Sequence, residues 1–385
     1  CWVAVRRMFV LTYAVTAAMH LPFVVAAEHA FSGLGLAQSW WLAGSAGVLL
    51  AAAFHQRLRL LMSDRPIGPL RALAEEAYFV HWTALVLVAP LHLLAAVWAA
   101  SSATASLGEC LLASYAAGLA VGLYGVSFRR RRVVIGDVVV AIEGLPAALE
   151  GYRIAQLSDV HLGSMCPRGR VERWVKRANA VGADVVVLTG DYVTSGTHFH
   201  HDIALSLGGL HAPDGVFAIM GNHDYFGDGE PLVSLLSDRG VVVLSNERRV
   251  IERDGARLQL IGVDDVYTGR NDVARALAQL DDDLPSVVLA HDPRQFDELA
   301  ARGVDLVLSG HTHWGQIAVP LLATRLNYAR LVYRYHAGRY RHTKSTLYIS
   351  PGLGTTGPPV RIGTWPEISV VTLRAATAKT SARPA

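Results

Sequence analysis

The sequence predicts a bundle of transmembrane helices followed by a layered α/β domain. First, 52% of the 385 residues are hydrophobic and 17% are charged, and the apolar excess lies in the first third of the chain. Second, short β-rich runs alternate with amphipathic segments after residue 132, a pattern typical of α/β proteins. Third, His, Asp and Asn residues follow several of these runs. The net charge of only +3 gives no reason to expect a nucleic-acid partner.

The region 1–128 contains four apolar stretches that we predict to be a four-helix transmembrane bundle. About 20 apolar residues are needed to cross the hydrocarbon core of a bilayer. The second stretch is the weakest, although Trp40 and Trp41 at its start suit an interfacial position. A cleaved signal peptide is the alternative for the first stretch, but it leaves the others unexplained. The predicted spans are residues 8–27, 38–54, 78–100 and 105–128.

The distribution of arginine predicts the orientation of these spans. Arg6 and Arg7 precede the first span, further arginines separate the second from the third, and Arg129–Arg132 follow the fourth. The loops at 28–37 and 101–104 contain no Lys or Arg. Because basic loops stay on the cytoplasmic side, the sequence predicts a multi-pass protein of the inner or cell membrane with its α/β domain in the cytoplasm.

The rest of the chain is predicted to form one α/β domain at 150–375. A basic linker and a first strand occupy 129–149, and residues 376–385 are predicted to be a disordered tail. Asp254-Gly255 is a strong hairpin signal between the predicted strands 248–252 and 257–261. Besides that first strand, the predicted strands are 153–157, 183–188, 216–220, 241–244, 248–252, 257–261, 286–290, 304–308, 346–350 and 367–373, and the predicted helices are about 168–181, 202–210, 231–238, 272–280 and 295–301.

Five of the predicted strands run into a polar motif, at the carboxyl end where open α/β sheets place ligand sites. Imidazole and carboxylate without thiolate suit Mn²⁺, Fe or Zn²⁺. One carboxylate must bridge if two ions are to lie about 3.5–4 Å apart, the spacing that clamps a phosphoryl group. One such motif is common by chance, but five in order are not. The motifs are Ser158-Asp159-Val160-His161, Gly190-Asp191, Gly221-Asn222-His223-Asp224, His291-Asp292 and Gly310-His311-Thr312-His313.

This ordered set resembles the calcineurin-like metallophosphoesterases over about residues 150–375, and within them the YkuE/YaeI-like, membrane-associated branch. Tyr348-Ile349-Ser350 and Pro359-Val360-Arg361 are supporting stretches. The resemblance implies a four-layer α/β/β/α sandwich with two mixed β-sheets. It also implies two divalent metal ions, with Mn²⁺ favoured over Fe or Zn²⁺, and a phosphate-ester substrate.

The resemblance also assigns roles to residues of this chain. His223 would be the general acid or transition-state stabiliser, and Asp224 would orient it. Asp191 would bridge the two ions. The first ion would be held by Asp159, His161, Asp191 and His313, and the second by Asp191, Asn222, His291 and His311.

Together these features predict hydrolysis of a phosphodiester or pyrophosphate bond, in a lipid-linked or nucleotide-linked substrate, by a hydroxide that bridges the metals. A covalent intermediate is not expected, because no nucleophilic Ser or Cys arrangement, P-loop or dinucleotide fingerprint is present. One alternative is a catalytically silent scaffold of the same fold. Another is a membrane sensor or transporter that the soluble domain regulates. The bilayer is a predicted partner, whereas no protein partner can be inferred.

Residues around the motifs suggest how a substrate is selected. Arg361 is a candidate for binding a substrate phosphate, and a structural role is the alternative. Trp314 stands where the branch usually has Gly, so it is a candidate for limiting the width of the pocket. A Tyr- and Arg-rich segment from Tyr328 to Arg341 is suited to an anionic membrane surface. A partly exposed structural loop explains that segment equally well.

Overall fold

The computed structural model describes residues 2–61 and 63–376. Two compact units are present, one made mainly from the chain before residue 130 and the other mainly from the chain after it. This boundary agrees with the change in composition that the sequence shows near residue 128. Residues 377–385 of the predicted tail lie outside the described residues.

The first unit is helical. Helix α5 begins with a capping box, in which the Ser106 hydroxyl accepts from the Glu109 N–H and the Glu109 carboxylate accepts from the Ser106 N–H. The helices of this unit are α1 Trp2–Gly33, α2 Ser39–Leu61, α3 Pro69–Val86, α4 Ala89–Ser101 and α5 Leu107–Gly122, and α5 continues into π-helical turns at Leu123–Phe128.

The prediction of four separate spans is wrong for the described residues. Two helices, at Val10–Gly33 and Leu107–Arg131, are long and apolar enough to cross a membrane, and a bent pair of helices would make a third. The predicted span 38–54 lies in α2, where Trp40, Trp41 and several Ser and Gly residues interrupt the apolar run. The predicted span 78–100 is divided between α3 and α4, which are bent by 51°. Pro90 explains the break, because its ring cannot continue the preceding helix.

Two glycines allow α3 and α5 to pack with their backbones in close approach. A Cβ added to Gly118 would lie 2.7 Å from the carbonyl oxygen of Ala84, and one added to Gly122 would lie 2.5 Å from that of Val80. Small residues four apart are typical of close contacts between membrane helices. The α3–α5 contact therefore depends on these positions having no side chain.

We predict that Gly122→Leu will destabilise the helical unit by about 1–3 kcal/mol, because the added side chain cannot be accommodated without separating α3 from α5. Gly44→Leu in α2 is the matched control, since nothing lies within 4 Å of a Cβ placed there. Thermal unfolding of both variants in the same detergent would measure the difference. Equal loss of stability in the two variants would contradict the close packing.

The α/β unit contains two six-stranded sheets. The first has the order β1-β12-β2-β3-β4-β5. Neighbours from β2 to β5 are parallel, whereas β12 is antiparallel to β2 and parallel to β1. Its strands are β1 Val134–Ile142, β2 Arg153–Leu157, β3 Val185–Thr189, β4 Val216–Ile219, β5 Val242–Val243 and β12 Glu367–Ala375.

The second sheet has the order β10-β11-β9-β8-β7-β6, and its inner strands are parallel. The predicted hairpin is confirmed: Arg253 pairs with Ala256 across a turn in which both Asp254 and Gly255 have positive φ. The strands are β6 Glu247–Arg253, β7 Ala256–Val263, β8 Ser286–Ala290, β9 Leu306–Ser309, β10 Gly338–His342 and β11 Ser345–Ile349.

Three apolar cores place these sheets and helices in layers. One core contains Ile154 and Val185 of the first sheet together with Val287 and Leu306 of the second, so the two sheets pack face to face. The outer face of each sheet has its own core, which it shares with helices. This arrangement is the α/β/β/α sandwich that the resemblance implies. Helices α6 Arg168–Asn179, α7 His200–Leu207 and α8 Glu230–Ser237 cover the first sheet, and α9 Val273–Ala276 and α10 Phe296–Ala301 cover the second.

Candidate metal centre

The polar motifs meet because the strands that precede them are neighbours. In the first sheet, β2, β3 and β4 are adjacent and parallel, and they lead to Asp159, Asp191 and Asn222. In the second sheet, β8 and β9 lead to His291 and His311 in the same way. The two sheets are joined close by, where the side-chain amide of Gln156 donates to the Thr189 hydroxyl and to the Ser309 carbonyl. The site is thus built where the parallel strands of the two sheets end together.

One group of donor atoms comes from the first and last motifs. The Nε2 atoms of His161 and His313 lie 3.0 Å apart. The Nε2 of His313 is 3.4 Å from a carboxylate oxygen of Asp159, and that of His161 is 3.7 Å from Oδ2 of Asp191. All four residues are buried. The structure therefore brings together the four residues that we predicted for the first metal.

A second group of donor atoms adjoins the first. His291 Nε2 lies 3.1 Å from Oδ2 of Asp191, the same oxygen that faces His161. His311 Nδ1 is 2.9 Å from the side-chain oxygen of Asn222 and 3.3 Å from His291 Nε2. The other ring nitrogen of His291 donates to the Thr189 carbonyl at 2.7 Å, which fixes the orientation of the ring. One carboxylate oxygen is thus shared by both groups.

The chemistry of these donors fits two divalent cations. Burial lowers the pKa of His161 to about 3 and that of His313 well below its usual range, so both imidazoles are neutral at pH 7. Neutral imidazole and ionised carboxylate are the forms that bind metals. Two neutral rings with nitrogens 3.0 Å apart, beside two buried carboxylates, are donors that a bound cation would satisfy. Nitrogen and oxygen donors without sulfur suit Mn²⁺, Fe or Zn²⁺.

The backbone at the site is strained in a way that is typical of functional residues. Positive φ is uncommon for residues other than glycine and persists only where the surrounding structure enforces it. Five of the seven predicted ligands have it, with φ between 48° and 68°. These five are Asp159, His161, Asp191, His311 and His313.

Two glycines of the motifs leave room for the carboxylates. A Cβ on Gly221 would overlap the carboxylate of Asp191, and one on Gly310 would overlap that of Asp159. Both glycines lie directly before predicted ligands, Asn222 and His311. They are therefore required for the close approach of neighbouring loops rather than only for turn formation.

His223 borders the first group of donors but is more exposed than its members. Its ring meets the ring of His161 edge-on, with centroids 4.8 Å apart. Its Nδ1 donates to the Thr194 carbonyl at 2.6 Å, which leaves Nε2 as the nitrogen available to a ligand. His223 is only partly buried, whereas His161 and Asp191 are buried. This position suits a residue that meets the substrate rather than one that encloses the metals.

Asp224 does not orient His223, and this prediction is corrected. The orienting acceptor is Thr194, as described above. The Asp224 carboxylate is buried and accepts only main-chain N–H groups among its described hydrogen bonds. It thereby holds the loop that carries Asp191 against the loop that carries Asn222. Its donors are the N–H groups of Asp191, Tyr192, Val193 and Gly221, at 2.8, 2.7, 3.2 and 2.9 Å.

Arg361 is a structural residue in this arrangement, which corrects its prediction as a phosphate ligand. Its side chain is fully buried. The guanidinium donates to the carbonyl oxygens of Pro351 and Gly354, each at 2.7 Å, and to that of Gly352 at 3.1 Å. The loop that it holds packs against the Asp159 loop, since the N–H of Gly354 donates to the Asp159 carbonyl. Arg361 therefore supports the first metal motif from behind.

We predict that Arg361→Met will lower the free energy of unfolding by roughly 3 kcal/mol, because it leaves several buried carbonyl groups without donors. Arg302→Met, at an exposed position after α10, is the control and should stay within about 0.5 kcal/mol of the parent. Denaturant unfolding measures both. Unchanged stability together with a raised KM in the Arg361 variant would restore the substrate-binding role.

Trp314 is tied to the second sheet rather than free to limit a pocket. Its indole N–H donates to the Ile349 carbonyl at 2.7 Å, and the ring packs on the core outside that sheet. The residue has φ 51° and ψ 32°, a left-handed conformation that favours glycine. A direct contact of Trp314 with substrate is therefore not supported by these contacts.

Two neighbours of the second group were not assigned a role from the sequence. The Tyr333 hydroxyl lies 3.0 Å from His311 Nε2, and a carboxylate oxygen of Asp292 lies 3.6 Å from the same nitrogen. Both contact the ring nitrogen that faces away from Asn222 and His291. Asp292 directly follows His291, so its position in the sequence could have indicated that it lies at the site. Tyr333 is distant in sequence from His291 and reaches the site only through the tertiary fold.

The part of the chain that carries the motifs is similar to known proteins. Residues 152–315 match the family described as calcineurin-like phosphoesterase. An uncharacterized metallophosphoesterase of Bacillus subtilis, YkuE, is 33% identical over 236 residues, which cover 60% of this chain and 82% of that protein.

Two animal proteins named as transmembrane proteins with a metallophosphoesterase domain are also similar. The Danio rerio protein is 33% identical over 271 residues, covering 66% of this chain and 61% of its own length. The Bos taurus protein is 32% identical over 302 residues, which cover 72% of this chain and 67% of that protein. Because 82% of YkuE is covered at 33% identity, the chain belongs to the calcineurin-like metallophosphoesterase family.

Proposed function

We propose that this chain is a membrane-anchored phosphoesterase that uses two divalent metal ions to hydrolyse a phosphodiester or pyrophosphate bond. The observation that carries the proposal is the shared Asp191 oxygen, which lies 3.7 Å from His161 Nε2 and 3.1 Å from His291 Nε2. A carboxylate oxygen between two groups of imidazole nitrogens is the arrangement that two adjacent cations require.

Seven residues are proposed as ligands, in two sets that share Asp191. The ions that they hold would acidify a water molecule and neutralise charge on the phosphoryl group. Mn²⁺ is the proposed metal, and Fe and Zn²⁺ are compatible with the same donors. The first set is Asp159, His161, Asp191 and His313, and the second is Asp191, Asn222, His291 and His311.

His223 is proposed as the residue that acts on the substrate. With Nδ1 donating to Thr194, its Nε2 is positioned to exchange a proton with, or to donate to, an oxygen of the phosphoryl group. Asp224 acts indirectly, because it fixes the loops that carry two of the ligands. Arg361 supports the Asp159 loop in a similar way.

The proposed membrane location favours a lipid-linked substrate. Two helices of the chain are apolar and long enough to cross a bilayer. Arg129–Arg132 lie at the carboxyl end of the second of them, and this basic cluster favours a cytoplasmic position for the α/β unit. We therefore propose a multi-pass anchor that holds the enzyme beside phosphate esters of the envelope, either lipid-linked or nucleotide-linked.

Removal and return of metal tests this function. We predict that the full chain, purified in detergent and treated with a chelator, will lose hydrolysis of bis(p-nitrophenyl) phosphate and will regain it with Mn²⁺. A parallel series with p-nitrophenyl phosphate, a nucleotide diphosphate lipid and free nucleotides identifies the bond that is cleaved. Activity that survives chelation, or no activity with Mn²⁺, Fe²⁺ or Zn²⁺, would favour the silent scaffold.

A further inference from the structure

A short segment of the α/β unit, Val319–Val332, exposes an unusual number of apolar side chains. Of the eleven large hydrophobic residues that are exposed in the described part of this unit, seven lie in this segment. Leu321 is 101% exposed and Leu331 is 78% exposed. Exposed apolar side chains gathered in one short segment are typical of an interaction site.

Hydrogen bonds within the segment fix its backbone, so the apolar side chains are exposed by a defined conformation. The Val319 N–H donates to the Leu326 carbonyl at 2.9 Å. The Asn327 side chain donates to the Ala323 carbonyl and accepts from the Arg330 N–H. These hydrogen bonds give partners to polar backbone groups of the segment without burying its apolar side chains. The exposure is therefore a property of the fold itself.

A cationic surface cavity of about 460 Å³ borders the same segment. Three arginines line it, at positions 325, 330 and 339, together with His336 and Tyr340, and no carboxylate is among its lining residues. Arg330 and Arg339 are each held by an Nη1–H bond of 2.8 Å to a backbone carbonyl. A guanidinium has five N–H donors, so these bonds fix its position and leave donors for an anion.

His336 is an independent sign that the cavity takes a ligand. It is 9% exposed, and its Nε2 has no hydrogen-bond partner among the described residues. Its other ring nitrogen lies 2.8 Å from the Tyr340 hydroxyl. A buried ring nitrogen without a partner is costly unless a ligand supplies one. Beside three guanidinium groups, the fitting ligand is an anion that accepts hydrogen bonds.

We propose that Val319–Val332 docks on the surface of a bilayer and that the cavity holds the phosphate of an anionic phospholipid. The apolar side chains enter the interface, and the arginines bind the headgroup, as is general for peripheral membrane segments. The partner is a lipid because apolar and cationic surfaces adjoin, and because the chain carries helices able to span a bilayer. This lipid is a docking partner and is distinct from the substrate proposed above.

The docking segment lies close to the metal centre. Tyr333, the residue after the segment, places its hydroxyl 3.0 Å from His311 Nε2. The backbone of Tyr328 lies close to Gly315, next to the last ligand pair. A lipid-bound segment would therefore present the metal centre to the plane of the bilayer, where a lipid-linked phosphate ester lies.

Spin labels on the full chain test the docking without depending on catalysis. Val332→Cys is labelled with a nitroxide in a Cys1→Ser, Cys110→Ser background, and Val250→Cys, another exposed valine of the α/β unit, is the matched control. The proteins are placed in nanodiscs of phosphatidylcholine, with and without phosphatidylglycerol. We expect the label at 332 to collide more with oxygen and less with a nickel chelate when phosphatidylglycerol is present, and the label at 250 to remain water-exposed.

The arginines are tested in the same nanodiscs. Arg330→Gln and Arg339→Gln should each lower the equilibrium constant for insertion at a fixed phosphatidylglycerol content by about fivefold, the effect of one basic residue at an anionic surface. Arg302→Gln is the control for a general loss of charge. Metal content and thermal midpoint establish that each variant is folded.

Three results would overturn the proposal. A label at 332 that stays in water in both lipid mixtures excludes docking. A label shielded from both collision reagents shows that protein, either this chain or a second copy, covers the segment. Insertion that is independent of phosphatidylglycerol or of Arg330 and Arg339 excludes the headgroup site. None of these results depends on whether the chain hydrolyses a phosphate ester.

Discussion

Asp191→Ala is expected to bind neither metal ion tightly and to lose on the order of 10³-fold or more in kcat/KM. The substitution removes the one oxygen that faces both groups of donors, at 3.7 Å from His161 and 3.1 Å from His291. Loss of a single electrostatic stabiliser of a transition state already costs on the order of 10²–10³-fold. Because both ions depend on Asp191, the effect should exceed that range.

Elemental analysis and phosphodiester turnover would be measured on the same preparation. Asp238→Ala is a suitable control, since Asp238 is exposed at the end of α8 and belongs to none of the motifs. The control should retain both the metal content and the activity of the parent. An Asp191 variant that keeps its metals and most of its activity would refute the shared-ligand assignment.

His223→Ala is expected to lower turnover without changing metal binding. The ring is held by Thr194, is only partly buried and contacts the His161 ring edge-on, but it is not one of the proposed ligands. We therefore expect metal content to be unchanged while kcat falls by on the order of 10²–10³-fold. Comparing the metal content and kcat of this variant with those of Asp191→Ala distinguishes a residue that acts on the substrate from one that binds metal.

His198→Ala is the matched control for this experiment, because His198 is an exposed histidine of the loop that follows Asp191. Its activity should equal that of the parent. A His223 variant that loses an ion would instead make His223 a ligand, in agreement with its proximity to His161 and Asp191. Full activity in that variant would remove His223 from the mechanism.

The strands and their terminal motifs were predictable because local and tertiary signals agree. All residues of β3 and of β8 are buried, so each strand is a continuous apolar run that ends abruptly at a polar motif. Strand ends are fixed by the change from apolar to polar residues. Parallel neighbours then bring these ends together without any further information.

The roles of Asp224 and Arg361 were not predictable in the same way. Both side chains bind backbone groups, Asp224 four N–H groups and Arg361 carbonyl oxygens of one loop. Every residue except proline offers the same N–H and C=O, so the sequence contains no mark of such partners. A charged residue beside a motif therefore suggested catalysis or substrate binding, whereas the fold uses it to fix loops.

Two elements of the fold were missed for related reasons. Strand β10, Gly338–His342, consists of Gly, Tyr, His and two arginines, and only its pairing with β11 makes it a strand. In the helical unit, the apolar stretch 78–100 is long enough for one span. Pro90 nevertheless divides it into α3 and α4. The prediction missed this break because a hydropathy average takes no account of the N–H group that proline lacks.

Metal stoichiometry measured together with turnover tests the central claim most directly. The chelator-treated full chain would be titrated with Mn²⁺, and bound metal and phosphodiester hydrolysis would be recorded at each step. The shared position of Asp191 predicts that two ions bind per chain and that activity rises with the second. Saturation at one ion, or activity that is already complete before the second ion binds, would contradict a dinuclear centre.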